Sequence, residues 1–187
     1  MALQLPIPKD RQLHLAQQVD QASINAISKA IIEINEDDDY ISKLAEINGF
    51  TYNPKPIELY IDSYGGYAYQ CLGLIGVIQK SKAPVHTIVT GCAMSCGFLI
   101  SVSGHKRISY DHSTFMYHQV SSGAIGKLKD MEEDIIETKR LQKFIEEHTL
   151  TTTKLTPKDL EKCYIEKRDW YFTAKQALKY GIIDQIV

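Results

Sequence analysis

From Asp20 onward, isoleucines recur at helical spacing, at Ile24, Ile27, Ile31 and Ile34. Ala26 and Ala30 fill the same side, and Asp20 stands where it can cap the first turn. The pattern predicts an amphipathic helix ending at the acidic run Glu36-Asp37-Asp38-Asp39. From there to Pro56, charges mixed with Gly49, Asn53 and Pro54 predict a loop or short helical insertion over about 37–56. Ile57, Leu59 and Ile61 then alternate with Glu58 and Tyr60, the period of a half-buried strand, which runs into the turn Asp62-Ser63-Tyr64-Gly65-Gly66. Leu72, Ile75, Val77 and Ile78 predict a helix, and Val85-His86-Thr87-Ile88-Val89-Thr90 a second strand. A strand, a crossover helix and a strand make a parallel sheet unit.

The alternation continues. Gly91 to Gly97 reads as a turn, Phe98-Leu99-Ile100-Ser101-Val102 as a buried helix, and Arg107–Tyr110 and Ser113–Gln119 as strands. A long helix over about 127–148 carries Leu128, Met131, Ile135, Gln142 and Ile145 near one line, with Leu141 and Phe144 beside it. Thr173-Ala174-Lys175-Gln176 fits a capping box, Gly181 can close that helix, and Ile182 to Val187 returns as a strand. The class is α/β, a single domain over 1–187 with a short N-terminal segment at 1–12.

Composition narrows the partners. The chain has 21 Lys+Arg against 23 Asp+Glu, a formal charge of −2, which argues against nucleic acid or an acidic membrane surface. No apolar run reaches the roughly 18 residues of a membrane span. The N-terminus, Met1 to Pro8, has neither a basic region nor a continuous apolar stretch, so cytoplasm is the expected compartment. Cys71, Cys92, Cys96 and Cys163 form no CxxC pair, which argues against a zinc site or a disulfide framework.

Ser95 lies between a β-branched strand and an apolar helix, in Met94-Ser95-Cys96-Gly97, so its hydroxyl would stand on a tight turn beside unpaired helical N–H groups. A serine hydroxyl needs a base that is neutral near pH 7, hence a histidine oriented by a carboxylate. Six histidines compete for that role: His118 closes a strand, His86 and His112 suit surface or turn positions, and His14, His105 and His148 have charged or polar neighbours in sequence. Gly65-Gly66 after a strand can bring a backbone N–H against a ligand oxygen, or can simply make a tight turn. No Walker motif or G-x-G-x-x-G follows, which leaves phosphate binding without support.

Taken together, these segments resemble the ClpP family, the proteolytic subunit of ATP-dependent Clp proteases, over roughly Leu13 to Val187. Leu59 to Gly66 resembles that family's strand and S-P-G-G turn, Gly91 to Gly97 its G-Q-A-A-S-M-G segment, and Phe115-Met116-Tyr117-His118-Gln119 its V-M-I-H-Q strand. Arg168-Asp169-Trp170-Tyr171-Phe172-Thr173-Ala174, followed by Ala177 to Asp184, is similar to R-D-R-F-L-S-A and A-V-E-Y-G-L-V-D. The resemblance implies a ClpP/crotonase-like fold of repeated β-β-α units with 127–148 as a protruding handle helix. It implies Ser95 as nucleophile, His118 as general base and Asp169 as its orienting carboxylate, with the backbone N–H groups of Gly66 and Cys96 as the oxyanion hole. Tyr67, Ala68 and Tyr69 on one side and Val120, Ser121, Ser122 and Gly123 on the other would bind a substrate strand. No metal or organic cofactor is implied.

The implied partners are further copies of the chain in stacked rings (heptamers, paired as a tetradecamer), unfolded polypeptide as substrate, and an AAA+ unfoldase. About a dozen residues precede the matching region, little chain for the axial hairpin through which the family meets its ATPase. Tyr64 and Val120 stand where the family has prolines, and Met94 and Cys96 flank Ser95 where alanine and methionine are usual. A catalytically impaired structural ring subunit and a crotonase-like acyl-CoA enzyme are the readings that compete with a serine endopeptidase, and a divergent phage-type processing protease is a variant of the endopeptidase reading.

Overall fold

The computed structural model describes residues 10–166 and 168–187; the first nine positions of the expected 1–12 segment lie outside the described residues. The strands are β1 (Gln12–Leu15), β2 (Ile57–Ser63), β3 (Val85–Met94), β4 (Lys106–Ser109), β5 (Thr114–Tyr117), β6 (Trp170–Thr173) and β7 (Gln185–Ile186). The helices are α1 (Gln21–Ile47), α2 (Ala68–Lys80), α3 (Cys96–Ser101), α4 (Leu128–Thr152), α5 (Pro157–Ile165) and α6 (Ala174–Lys179). One α/β sheet runs β1-β2-β3-β4-β7, all neighbours parallel. β3 is long enough to serve two partners: His86 to Val89 pair with β4, and Cys92 to Met94 pair with β5, which carries β6 antiparallel on its other side.

α1 buries the stripe Ile24, Ile27, Ile31 and Ile34 and is capped by Asp20, whose carboxylate accepts from the Ser23 N–H. It does not stop at the acidic run. It continues to Ile47, because two of those carboxylates have partners: Asp38, buried, accepts from Arg11 and from the Tyr52 hydroxyl, and Asp39 pairs with Lys82. Only beyond Gly49, at φ +74, does the expected loop begin.

Gly91 likewise does not turn the chain. Asp62 lies against it, so close that a Cβ there would fall 2.4 Å from a carboxylate oxygen, and accepts from the Cys92 N–H at 2.9 Å. The β2–β3 register slips between Ile61 and Ser63, a bulge that lets β3 run on to Met94. α5 and β6, unmarked by hydrophobic period, fill the stretch before α6, and the C-terminal strand shrinks to Gln185–Ile186. Thr173 and Gln176 do form the expected capping box, and Gly181 follows at φ +64. Phe98, Phe115, Tyr117 and Phe172, all almost fully buried, fill the space beneath β3 and β5, each contributing about 1.5–3 kcal/mol by burial.

Candidate active site

The topology gathers the candidate residues at one end of the sheet. Gly65 and Gly66 follow β2, Ser95 follows β3 and His118 follows β5, and those strands are parallel, so all three segments leave by their carboxyl ends. β6 runs the other way, which puts Asp169, just before its first residue, at the same end. A crevice there is where open parallel sheets place ligands.

Ser95 turns the chain from β3 into α3 at φ +52 and ψ −120, the only positive φ of a non-glycine residue among those described. Such a conformation costs about 1–3 kcal/mol and must be held by its surroundings. The Ser95 N–H donates to the Met116 carbonyl at 3.0 Å, fixing the turn to β5 two residues before His118. The result is a hydrogen bond of 2.7 Å between Ser95 Oγ and His118 Nε2.

Gly65, at φ +100, lies under this turn: a Cβ would fall 2.8 Å from the Met94 carbonyl and from Ser95 Cβ. At Gly66 a Cβ would fall 2.2 Å from the Val19 carbonyl, so both glycines are required by close backbone approach. Among the described residues, neither the Gly66 N–H nor the Cys96 N–H has an acceptor, and both residues line one cleft with Ser95 and His118. The Cys96 thiol donates to the Gly66 carbonyl at 3.3 Å, joining the two halves of this arrangement, and Cys71 Sγ donates to the Cys96 carbonyl at 3.5 Å. The Cys71 thiol lowers the Cys96 thiol pKa, while the same contact and burial hold Cys71 well above the ordinary thiol range.

The cleft, of about 310 Å³, is lined also by Tyr67, Ala68, Leu99, Val120, Ser121 and Ile145. Tyr69 instead donates to Glu137 of α4 at 2.7 Å, and Ser122 meets Thr138 at 3.0 Å, so both lips of the cleft are tied to that helix. Bonds from Arg140 and Tyr69 bring the Glu137 carboxyl down to about 2. Gly123 is exposed and outside the lining residues. Asp169 is exposed; the β5–β6 ladder, extended one step past Tyr117–Trp170, sets it opposite His118, and no hydrogen bond joins the two.

A second serine–histidine pair was invisible in the sequence. His148, buried against expectation, lies 2.8 Å from Ser103 Oγ. Ser103 spends its proton on the Leu99 carbonyl at 2.7 Å, so its oxygen can only accept from the imidazole. Burial lowers the His148 pKa. This pair ties the turn after α3 to α4. Gln142 was also missed as a site residue: its Oε1 accepts from the Val120 N–H at 2.8 Å.

Residues 4–187 match the family described as Clp protease. The chain is 31% identical over 185 residues to an ATP-dependent Clp protease proteolytic subunit of Bacteroides thetaiotaomicron, covering 95% of this chain and 74% of the relative. It is 34% identical over 142 residues to the Deinococcus radiodurans subunit of the same name, covering 72% and 67%. With an ATP-dependent Clp protease proteolytic subunit 2 of a Synechococcus species it shares 34% over 139 residues, covering 71% and 68%. Among the described residues no helix is long and apolar enough to cross a membrane.

Proposed function

Because the chain belongs to the Clp protease family, we propose that it hydrolyses peptide bonds as a serine-type endopeptidase, with Ser95 as nucleophile and His118 as general base. The observation that carries this reading is the 2.7 Å contact of Ser95 Oγ with His118 Nε2 on a strained turn facing two free N–H groups. His118 takes the proton as Ser95 Oγ attacks the scissile carbonyl carbon, then returns it to the leaving amine; water repeats the sequence on the acyl-enzyme. The Gly66 and Cys96 N–H groups receive the negative charge that forms on the carbonyl oxygen only in the transition state. Asp169 is assigned to the His118 Nδ1–H, which it reaches by a local movement of an exposed side chain at the matching register step. Tyr67, Ala68 and Tyr69 and the 120–123 segment form the lips between which an extended peptide would lie.

The ClpP/crotonase-like repeat of β-β-α units, the handle role of α4, assembly into stacked rings, an AAA+ unfoldase partner and a cytoplasmic location belong to the same proposal. For assembly the support is α4 itself: Leu128, Met131, Ile135 and Ile136 are exposed along its first half, an apolar face of the kind that self-association covers. The relatives, both ATP-dependent Clp protease proteolytic subunits, support the Clp subunit reading and lend the phage-type variant no support. Cleavage of a short fluorogenic peptide by wild type and by Ser95→Ala, with mass measured in solution, tests the assignment. Turnover that survives in Ser95→Ala contradicts it. The unjoined Asp169 favours one second reading, a structural ring subunit, which assembly without any peptide turnover would select.

A further inference from the structure

The position after Gln119 brings a requirement that a proline there would not. Val120 carries an N–H, half-buried at the lip of the cleft, and such a donor needs a partner. It finds one in Gln142 Oε1, 2.8 Å away on α4. The carboxamide cannot easily turn round, because its Nε2 is engaged twice, with the Tyr164 hydroxyl at 2.5 Å and with Glu146 at 3.0 Å. Two acceptors on the nitrogen side leave the oxygen to face Val120. Tyr164 in turn shares a hydrogen bond of 3.1 Å with the hydroxyl of buried Tyr117, the last residue of β5 and the neighbour of His118. Burial, then the Tyr117 and Glu146 contacts, push the Tyr164 pKa upward, so it remains a neutral phenol in this relay.

We propose that Gln142 is a positioning residue for the substrate strand: by holding the Val120 N–H toward α4 it sets which backbone groups of the 120–123 lip face the cleft. Peptide groups alternate sides in an extended segment. With the Val120 N–H turned to α4, a lip that runs extended would present the N–H and C=O of Ser121 to the cleft that Ser121 lines, where they would pair with a peptide. The inference rests on the peptidase reading, since it assigns a role in binding that reading's substrate.

The test uses the full chain in its native assembly and compares wild type, Gln142→Ala, Val120→Pro and the double variant. Each is measured for cleavage of a reporter long enough to pair with the lip, for cleavage of a minimal reporter, and for labelling of Ser95 by a small fluorophosphonate. Removing one hydrogen bond of this kind predicts a roughly fivefold to tenfold rise in KM for the long reporter in Gln142→Ala, with the minimal reporter and the labelling rate much less affected. On the Val120→Pro background, which has no N–H to hold, Gln142→Ala has little further effect on KM. An unchanged KM for the long reporter overturns the proposal, as do equal losses in all three assays or additive effects in the double variant. Wild type that neither labels nor cleaves refutes the peptidase reading, and this proposal with it.

Discussion

Gly66→Ala tests the oxyanion assignment through a contact that leaves no room for a methyl group. The new Cβ would fall 2.2 Å from the Val19 carbonyl oxygen, whereas unstrained contacts need about 3.5 Å, a shortfall of about 1.3 Å. That carbonyl accepts the Tyr67 N–H at 2.8 Å, and Val19 donates back to Gly65 at 2.9 Å, so the strain passes into the segment carrying the Gly66 N–H. A displacement of this size costs on the order of 10²-fold in a positioned reaction, and losing one oxyanion donor costs about 10²–10³, or roughly 2.7–4 kcal/mol. Steady-state cleavage of a fluorogenic peptide should show kcat down by that factor with KM little changed, because the donor acts mainly in the transition state. A thermal melt separates this from unfolding. Near wild-type kcat in a folded Gly66→Ala chain would refute the assignment of Gly66.

Other outcomes follow from individual contacts. Ser95→Gly removes the hydroxyl and also the positive-φ strain, so turnover disappears while Tm, read by calorimetry, rises by roughly 2–4 °C, net of the added glycine entropy. Asp38→Ala takes the acceptor from Arg11 and Tyr52; because the Arg11 side chain keeps 20% exposure, the loss falls below that of a fully buried pair, at about 2 kcal/mol in urea denaturation. His148 has a lowered pKa in the fold, so the unfolded chain binds the proton more readily. Its contribution is intact above about pH 6.5 and is lost as pH falls through that value toward the lowered one, and His148→Gln should flatten this part of a stability–pH curve. Asp169→Asn should lower kcat strongly in steady-state peptide cleavage, and an unchanged kcat would remove Asp169 from the catalytic set.

The elements most legible in the sequence are those whose side chains answer to one face. The isoleucine stripe of α1 and the alternation of β2 report burial directly, and so does the capping box that opens α6. Elsewhere tertiary contacts override the local signals. The acidic run stays helical because Asp38 and Asp39 have cationic partners far along the chain, and Gly91 sits in a bulge because the Asp62 carboxylate needs its space. α5 did carry a signal, Thr156-Pro157 with Asp159 closing a capping box. Ser95 could be singled out from its turn, but its choice of His118 among six histidines came from family resemblance, since pairing across β3 and β5 is a property of sheet order. Gln142 and His148 lie on a helix whose pattern reports only which side is buried, not which backbone N–H or serine waits opposite.

Among the described residues two serines touch a histidine, and only Ser95 is expected to be activated. Treating the native protein with a fluorophosphonate and mapping the modified peptide by mass spectrometry addresses this directly. The label should fall on Ser95, vanish in Ser95→Ala and persist in Ser103→Ala, whose hydroxyl proton is committed to Leu99. A label on Ser103, or none on a folded and assembled chain, would contradict it.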